Sequence, residues 1–153
     1  MVTILNYTIY HSPNAYLGVT LAERVFATLS VRVERKPIFI PQARGVKVAD
    51  LIGSHEPRRK STYHREDCAR WAERYGIEIS FLAPGVFEER VQRWQQSLFG
   101  REELPARAYY ATIGTGREQD FDRALFRAAW VQGQDVNEAV SYTHLTLPTK
   151  RIV

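Results

Sequence analysis

The octapeptide "HSPNAYLG", residues 11–18, puts a serine hydroxyl directly before a proline. Two chemistries suit that pair. Serine is a strong helix N-cap, and proline suits the first helical position, where an N–H would go unused anyway. The same place also suits an anion. The first helical turn carries unpaired N–H groups and partial positive charge, and a hydroxyl can join them. Taken alone, Ser-Pro at a helix start is most often a cap. Ser12 is nevertheless the residue here that could occupy a catalytic position.

Other side chains offer less. Arg58, Arg59 and Lys60 form a basic run that could hold a carboxylate, though such runs are as often a solvated face. His11, His55 and His64 show no metal-ligand spacing. His64, Asp67 and Cys68 can be drawn as a cluster. Neighbouring helical residues diverge by about 100°, however, so Asp67 and Cys68 face apart and the set reads as surface. No metal site is expected. Cys68 is the only cysteine, cannot form an internal disulfide, and reads as a small buried residue. Trp71, Trp94 and Trp130 could line an aromatic pocket, but helix-spaced aromatics more often build core. Tyr16 reads as packing, with a pocket contact as the alternative.

These residues need elements to hold them. "VTILNYTIY" (2–10) is β-branched and aromatic, which predicts a strand. From Asn14 to about Leu29, Leu17, Leu21, Val25 and Leu29 recur every four residues and predict an amphipathic helix. Gly18 within it suggests close packing. In "VRVERKPIFI" (31–40) the charged centre points to Pro37–Ile40 as the buried strand. The opening is thus a βαβ unit. Residues 42–60 read as loop. Helices follow over 61–76, with Gly76 at the end, then over 84–100, Leu104–Ile113 and Phe121–Val131. No third strand is evident.

Hydrophobic residues make up 44% of the 153 and charged residues 25%, which fits a globular protein. No apolar run approaches the roughly 20 residues of a membrane helix, so no membrane partner is expected. The opening lacks the basic region of a secretory signal, and one cysteine suits the cytoplasm, which is the expected location.

The pI of about 9.4 invites a nucleic-acid reading. The last 13 residues, "SYTHLTLPTKRIV", weaken it. With Val140 before them, they resemble the in-frame translation of a transposase adapter used in preparing sequencing libraries, through Val140–Leu145. Without Lys150 and Arg151 the chain keeps 19 basic residues against 17 acidic ones, too small an excess to imply nucleic acid. Residues 140–153 are therefore expected to be a non-native tail that packs poorly, on a C-terminally truncated chain.

A βαβ unit with its reactive position at the first helix N-terminus resembles a thioredoxin-like fold, where Cys-x-x-Cys is usual. Here the four residues are Ser12-Pro13-Asn14-Ala15. "HSPNAYLG" resembles the 2-hydroxychromene-2-carboxylate isomerases and the kappa-class glutathione transferases, of the DsbA-like superfamily. "RKPIFI" (35–40) resembles their second strand. Lys60, Tyr63, Asp67 and Arg70 match a Lys-x-x-Tyr-x-x-x-Asp-x-x-Arg segment, and Ala128, Trp130, Gly133 and Asp135 match Ala-x-Trp-x-x-Gly-x-Asp.

The resemblance implies an α/β fold: a βαβ part over 1–43, then an α-helical insertion over 44–139, incomplete at its C-terminal end. It implies glutathione as cofactor, with Ser12 donating to the glutathione sulfur and Ser12, Pro13, Asn14 and Lys60 holding the tripeptide. It implies a small-molecule substrate, aromatic or electrophilic, near Ser54, Arg58 and Tyr16. It also suggests a homodimer. Two departures stand out. Ser54 follows Gly53 where the family often has Asn, and no cis-proline strand occurs before Glu138. The alternatives are a non-catalytic thioredoxin-like binding module and a relative of the DsbA-type disulfide oxidoreductases. Serine at position 12 excludes disulfide exchange there, because a hydroxyl forms no mixed disulfide.

Overall fold

The computed structural model describes residues 2–38, 58–97 and 103–142. It is a mixed α/β structure that starts strand–helix–strand: β1 (Val2–Thr8), α1 (Pro13–Phe26) and β2 (Val31–Pro37). Four further helices follow among the described residues: α2 (Arg58–Tyr75), α3 (Pro84–Gln96), α4 (Leu104–Ala111) and α5 (Glu118–Trp130). The strands pair in parallel, from Val2 opposite Val31 to Thr8 opposite Pro37. Parallel neighbours need a crossover, and α1 supplies it.

Alternation decides which strand residues turn inward. On β1 these are Ile4, Asn6 and Thr8, while Leu5 and Tyr7 stay 50% and 64% exposed. On β2 the described strand covers Val31–Pro37 and so begins six residues before the predicted Pro37–Ile40, of which residues 39 and 40 lie outside the described set. The charged centre is what the prediction misjudged. Arg35 turns inward and is buried because it has partners there, while Lys36 and Glu34 pair at 2.6 Å on the strand's other side.

Those partners form one network. Arg35 Nε and Nη2 each lie 2.9 Å from Asp122 Oδ2 on α5, and Arg35 Nη1 donates to Asn6 Oδ1 at 2.8 Å. Tyr10 donates its hydroxyl to Asp122 Oδ1 at 2.7 Å. Burial pushes the Asp122 carboxyl up, while Arg35 and Tyr10 pull it down. Around this network lies the main core of Tyr10, Tyr16, Leu17, Val19, Cys68, Ala72, Phe121, Leu125 and Phe126.

Helix α1 ends at Phe26 and not Leu29, as the Thr28 hydroxyl takes the Val25 carbonyl at 2.8 Å. Val25 and Leu29 are 56% and 52% exposed. Four-residue steps advance about 400°, so a strict i+4 row drifts off the buried face by about 40° each time. Gly18 is exposed, with nothing within 4 Å of a would-be Cβ, so it mediates no close contact.

Gly76 ends α2 in the left-handed region, at φ +57°. Its N–H bonds Glu73 O at 3.2 Å, and the Ile77 N–H bonds Ala72 O at 2.8 Å. Only a residue without Cβ adopts that φ freely, and the two bonds satisfy carbonyls the helix would otherwise leave open.

After α5, Ala139–Tyr142 form a 3-10 turn. Tyr142 packs against the core and donates to Val136 O at 2.6 Å, and Ser141 Oγ donates to Asp135 O at 2.7 Å. This start of the tail is therefore packed, contrary to expectation, because an aromatic ring with a satisfied hydroxyl suits a half-buried site. Residues 143–153 lie outside the described set.

The network sets a testable ranking. Asp122→Ala leaves the Arg35 charge buried without its main partner and should destabilise by about 3–5 kcal/mol. Tyr10→Phe removes one neutral donor and should cost about 1 kcal/mol. Urea unfolding of both variants measures this, and equal costs would contradict a buried ion pair.

Candidate functional site

Ser12 caps α1. Its backbone is extended (φ −104°, ψ 121°), and its Oγ accepts from the Ala15 N–H at 3.3 Å. Pro13 occupies the first helical position and brings no N–H. Tyr16 N–H bonds Ser12 O at 3.1 Å. The Asn14 amide is then the first-turn donor that helix geometry aims out of the N-terminus. Accepting a bond leaves the serine its proton to donate, since a hydroxyl carries one donor and two acceptor sites. Capping and anion binding are thus compatible in one atom.

The residues before Ser12 are held from below. Ser12 N–H bonds Ile9 O at 3.3 Å. Trp130 Nε1 donates to Tyr10 O at 2.8 Å, and the Tyr10 hydroxyl reaches Asp122. His11 Nε2 donates to Asn137 Oδ1 at 2.7 Å and meets the Trp94 ring edge-on, 5.7 Å between centroids. Trp94 Nε1 lies 3.0 Å from both oxygens of Asp135, and Arg90 donates to the Gly133 and Gln134 carbonyls at 2.9 and 3.1 Å. Segment 126–138 therefore positions the loop that carries Ser12. Gly133 sits at φ +64°, where glycine is favoured, and a Cβ there would stand 3.2 Å from Leu82 Cδ2. Trp130 and Trp94 are anchors, and Trp71 is 44% exposed, stacked on Tyr75 at 5.6 Å.

From the side, α2 meets the same turn through Asn14. Cys68 donates its S–H to Asn14 Oδ1 at 3.1 Å, and Asn14 Nδ2 donates to His64 Nε2 at 3.1 Å. Cys68 is buried as expected, and burial, then Asp67, pushes its thiol up. The sequence reading places His64 on the surface, and it is exposed, yet it bonds Asn14. The missed signal is its four-residue spacing from Cys68, which puts both on one helix face although Asp67 points elsewhere.

The remaining candidates divide. Arg58 opens α2, and Lys60 lies one turn before His64 in the 60, 64, 68 series. Ser54 lies outside the described residues. Tyr16 turns into the core: its ring centroid is 6.0 Å from that of Phe126, and its hydroxyl donates to Glu78 O at 2.8 Å. Both ring and hydroxyl are thus engaged by the protein, which agrees with the packing reading. Tyr63 is exposed, with the Arg70 guanidinium 5.5 Å from its ring centroid, and Arg70 pairs with Asp67 at 3.3 Å.

A βαβ start, a serine-capped turn at the first helix N-terminus and a helical part packed on it define a thioredoxin-like protein. The DSBA-like thioredoxin domain matches residues 3–144, and the chain belongs to that family. In structure it is similar to a 2-hydroxychromene-2-carboxylate isomerase (HCCA isomerase), with a TM-score of 0.62 and 21% identity over 94% of this chain. The chain spans 66% of the length of that isomerase. Comparison with curated proteins gives no match. Among the described residues no helix is long and apolar enough to cross a membrane.

The thiol environment gives a prediction. With its acidity weakened, Cys68 should be alkylated by iodoacetamide at least about tenfold more slowly in the native chain than in urea at pH 8. The native rate should rise as pH climbs above the ordinary thiol range, where the thiolate forms. Equal rates in the two states would show an accessible, unperturbed thiol.

Proposed function

We propose that this chain binds glutathione at the first turn of α1 and serves a glutathione-dependent isomerase or transferase reaction on an aromatic or electrophilic small molecule. The observation that carries this reading is the Ser12 cap, whose oxygen accepts from Ala15 and retains a proton for an outside acceptor. A sulfur bound there would meet a hydroxyl donor, the Asn14 amide and the positive end of α1, all of which favour thiolate over thiol. The thiolate is the stronger nucleophile. Lys60 is the candidate for a glutathione carboxylate and Arg58 for the substrate's acid group. Similarity to the HCCA isomerase supports isomerisation of 2-hydroxychromene-2-carboxylate as the first activity to assay. Disulfide exchange is the poorer reading, because the only thiol is Cys68, buried on α2. A cytoplasmic setting, where glutathione is abundant, goes with this proposal.

Isothermal titration with glutathione tests it. Ser12→Ala removes a hydrogen bond to a charged group, worth about 1.5–3 kcal/mol. Its glutathione Kd should therefore rise about 10–150-fold. Its lost cap should also cost about 1 kcal/mol of stability. If Ser12→Ala binds glutathione as tightly as the native chain and only melts earlier, Ser12 is a cap and nothing more. S-methylglutathione, which cannot form a thiolate, should bind more weakly than glutathione, and equal binding would remove the sulfur from the argument.

A further inference from the structure

Among the described residues the sheet has two strands, so each strand keeps one edge unpaired. Such an edge offers N–H and C=O groups to any extended chain that reaches it, and native edges are commonly blunted by charge or proline. The two edges here differ. β2 carries Arg32, Glu34, Arg35 and Lys36 and ends at Pro37. β1, "VTILNYT", carries no charge and no proline across its seven residues, and its Val2, Leu5 and Tyr7 are exposed. Strand β2 is guarded and strand β1 is not.

The occupant follows from the same residues. A strand that pairs with its own copy about a two-fold axis runs antiparallel to it. With the axis at Leu5, Leu5 faces Leu5 of the second copy, Thr3 faces Tyr7, Ile4 faces Asn6 and Val2 faces Thr8, so the whole strand is paired. A charged side chain in such a strand would be brought close to its own twin. β1 has none, so two copies meet without like-charge repulsion. The Thr3–Tyr7 contacts join an aromatic to a β-branched side chain, a pair that stabilises a sheet. The result closes on itself. The joined sheet runs β2–β1–β1–β2, and its outer edges are the guarded strands, so pairing stops at two copies. Sheets usually hold about four to six strands, and four meets that size.

We propose that the free edge of β1 pairs with β1 of a second copy of this chain, antiparallel, about a two-fold axis at Leu5. The inference uses only β1 and β2 and is independent of whether glutathione binds.

Analytical ultracentrifugation of the whole chain tests it. The native chain should sediment at twice the mass of one copy at micromolar concentration. Leu5→Lys changes an exposed side chain and sets two ammonium groups face to face at the axis. It should give a monomer with unchanged circular dichroism, and so should Leu5→Glu. Mixed in equal amounts, the two variants should sediment as a dimer again, because opposite charges then meet across the axis. In the native chain, hydrogen exchange at the β1 amides should slow as concentration rises. The proposal is overturned if the native chain is a monomer, if Leu5→Lys stays a dimer, if the two variants fail to recombine, or if exchange at β1 is indifferent to concentration.

Discussion

Arg35 and Asp122 meet in the interior at 2.9 Å, and the placement of the turn that carries Ser12 depends on them. A buried guanidinium must have an anion, and a buried carboxylate must have donors, or the desolvation of each goes uncompensated. Arg35 belongs to β2 and Asp122 to α5, so their pairing fixes the sheet against a helix 87 residues further along. Tyr10 adds its hydroxyl to the same carboxylate. Two residues after Tyr10 comes Ser12. The orientation of α1's first turn is thus set by an ion pair that never touches it.

The two segments most distant in sequence, "HSPNAYLG" and "FRAAWVQGQDVNE", are partners in one structure. The indole of Trp130 holds the Tyr10 carbonyl, and Asn137 holds His11. Asp135 in turn accepts from Trp94, and Arg90 grips the carbonyls of 133 and 134. The second segment, matched in the sequence only as a family pattern, contributes polar groups that act as supports in the fold. A turn that presents a hydroxyl and an amide in fixed directions needs its geometry held closely, and such supports give a loop the rigidity of a helix.

Much of this was legible because it depends on local chemistry. The Ser12 cap, the proline after it and the glycine that ends α2 follow from backbone donors and φ preferences that a few residues determine. The same holds for the apolar periodicity of α5, whose Phe121, Leu125 and Ala128 are buried. What escaped depends on partners far away. Val31–Pro37 read as a poor strand because Arg35 is charged, and only Asp122 makes its burial tolerable. The Leu17–Leu29 row looked continuous because spacing records period and not where the neighbouring elements stop. Tyr16 lies next to the motif yet faces inward, and His64 gains its meaning from Asn14, 50 residues before it.

Asn14 also shows how a scaffold can act on a site without entering it. Its side chain is bound on both polar atoms by α2, through Cys68 and His64, while its backbone N–H belongs to the open end of α1. One residue therefore faces two ways. The side chain senses α2, and the amide contributes to the field at the turn. Fixing the side chain limits the freedom of that amide, and an oriented dipole stabilises charge better than one that must first reorganise. Ser12 stands in the same relation to α1: its oxygen accepts from Ala15, which leaves its hydroxyl proton available to donate. The chemistry available at this turn follows from that division, because atoms that satisfy the helix hold in place the ones that can serve a ligand.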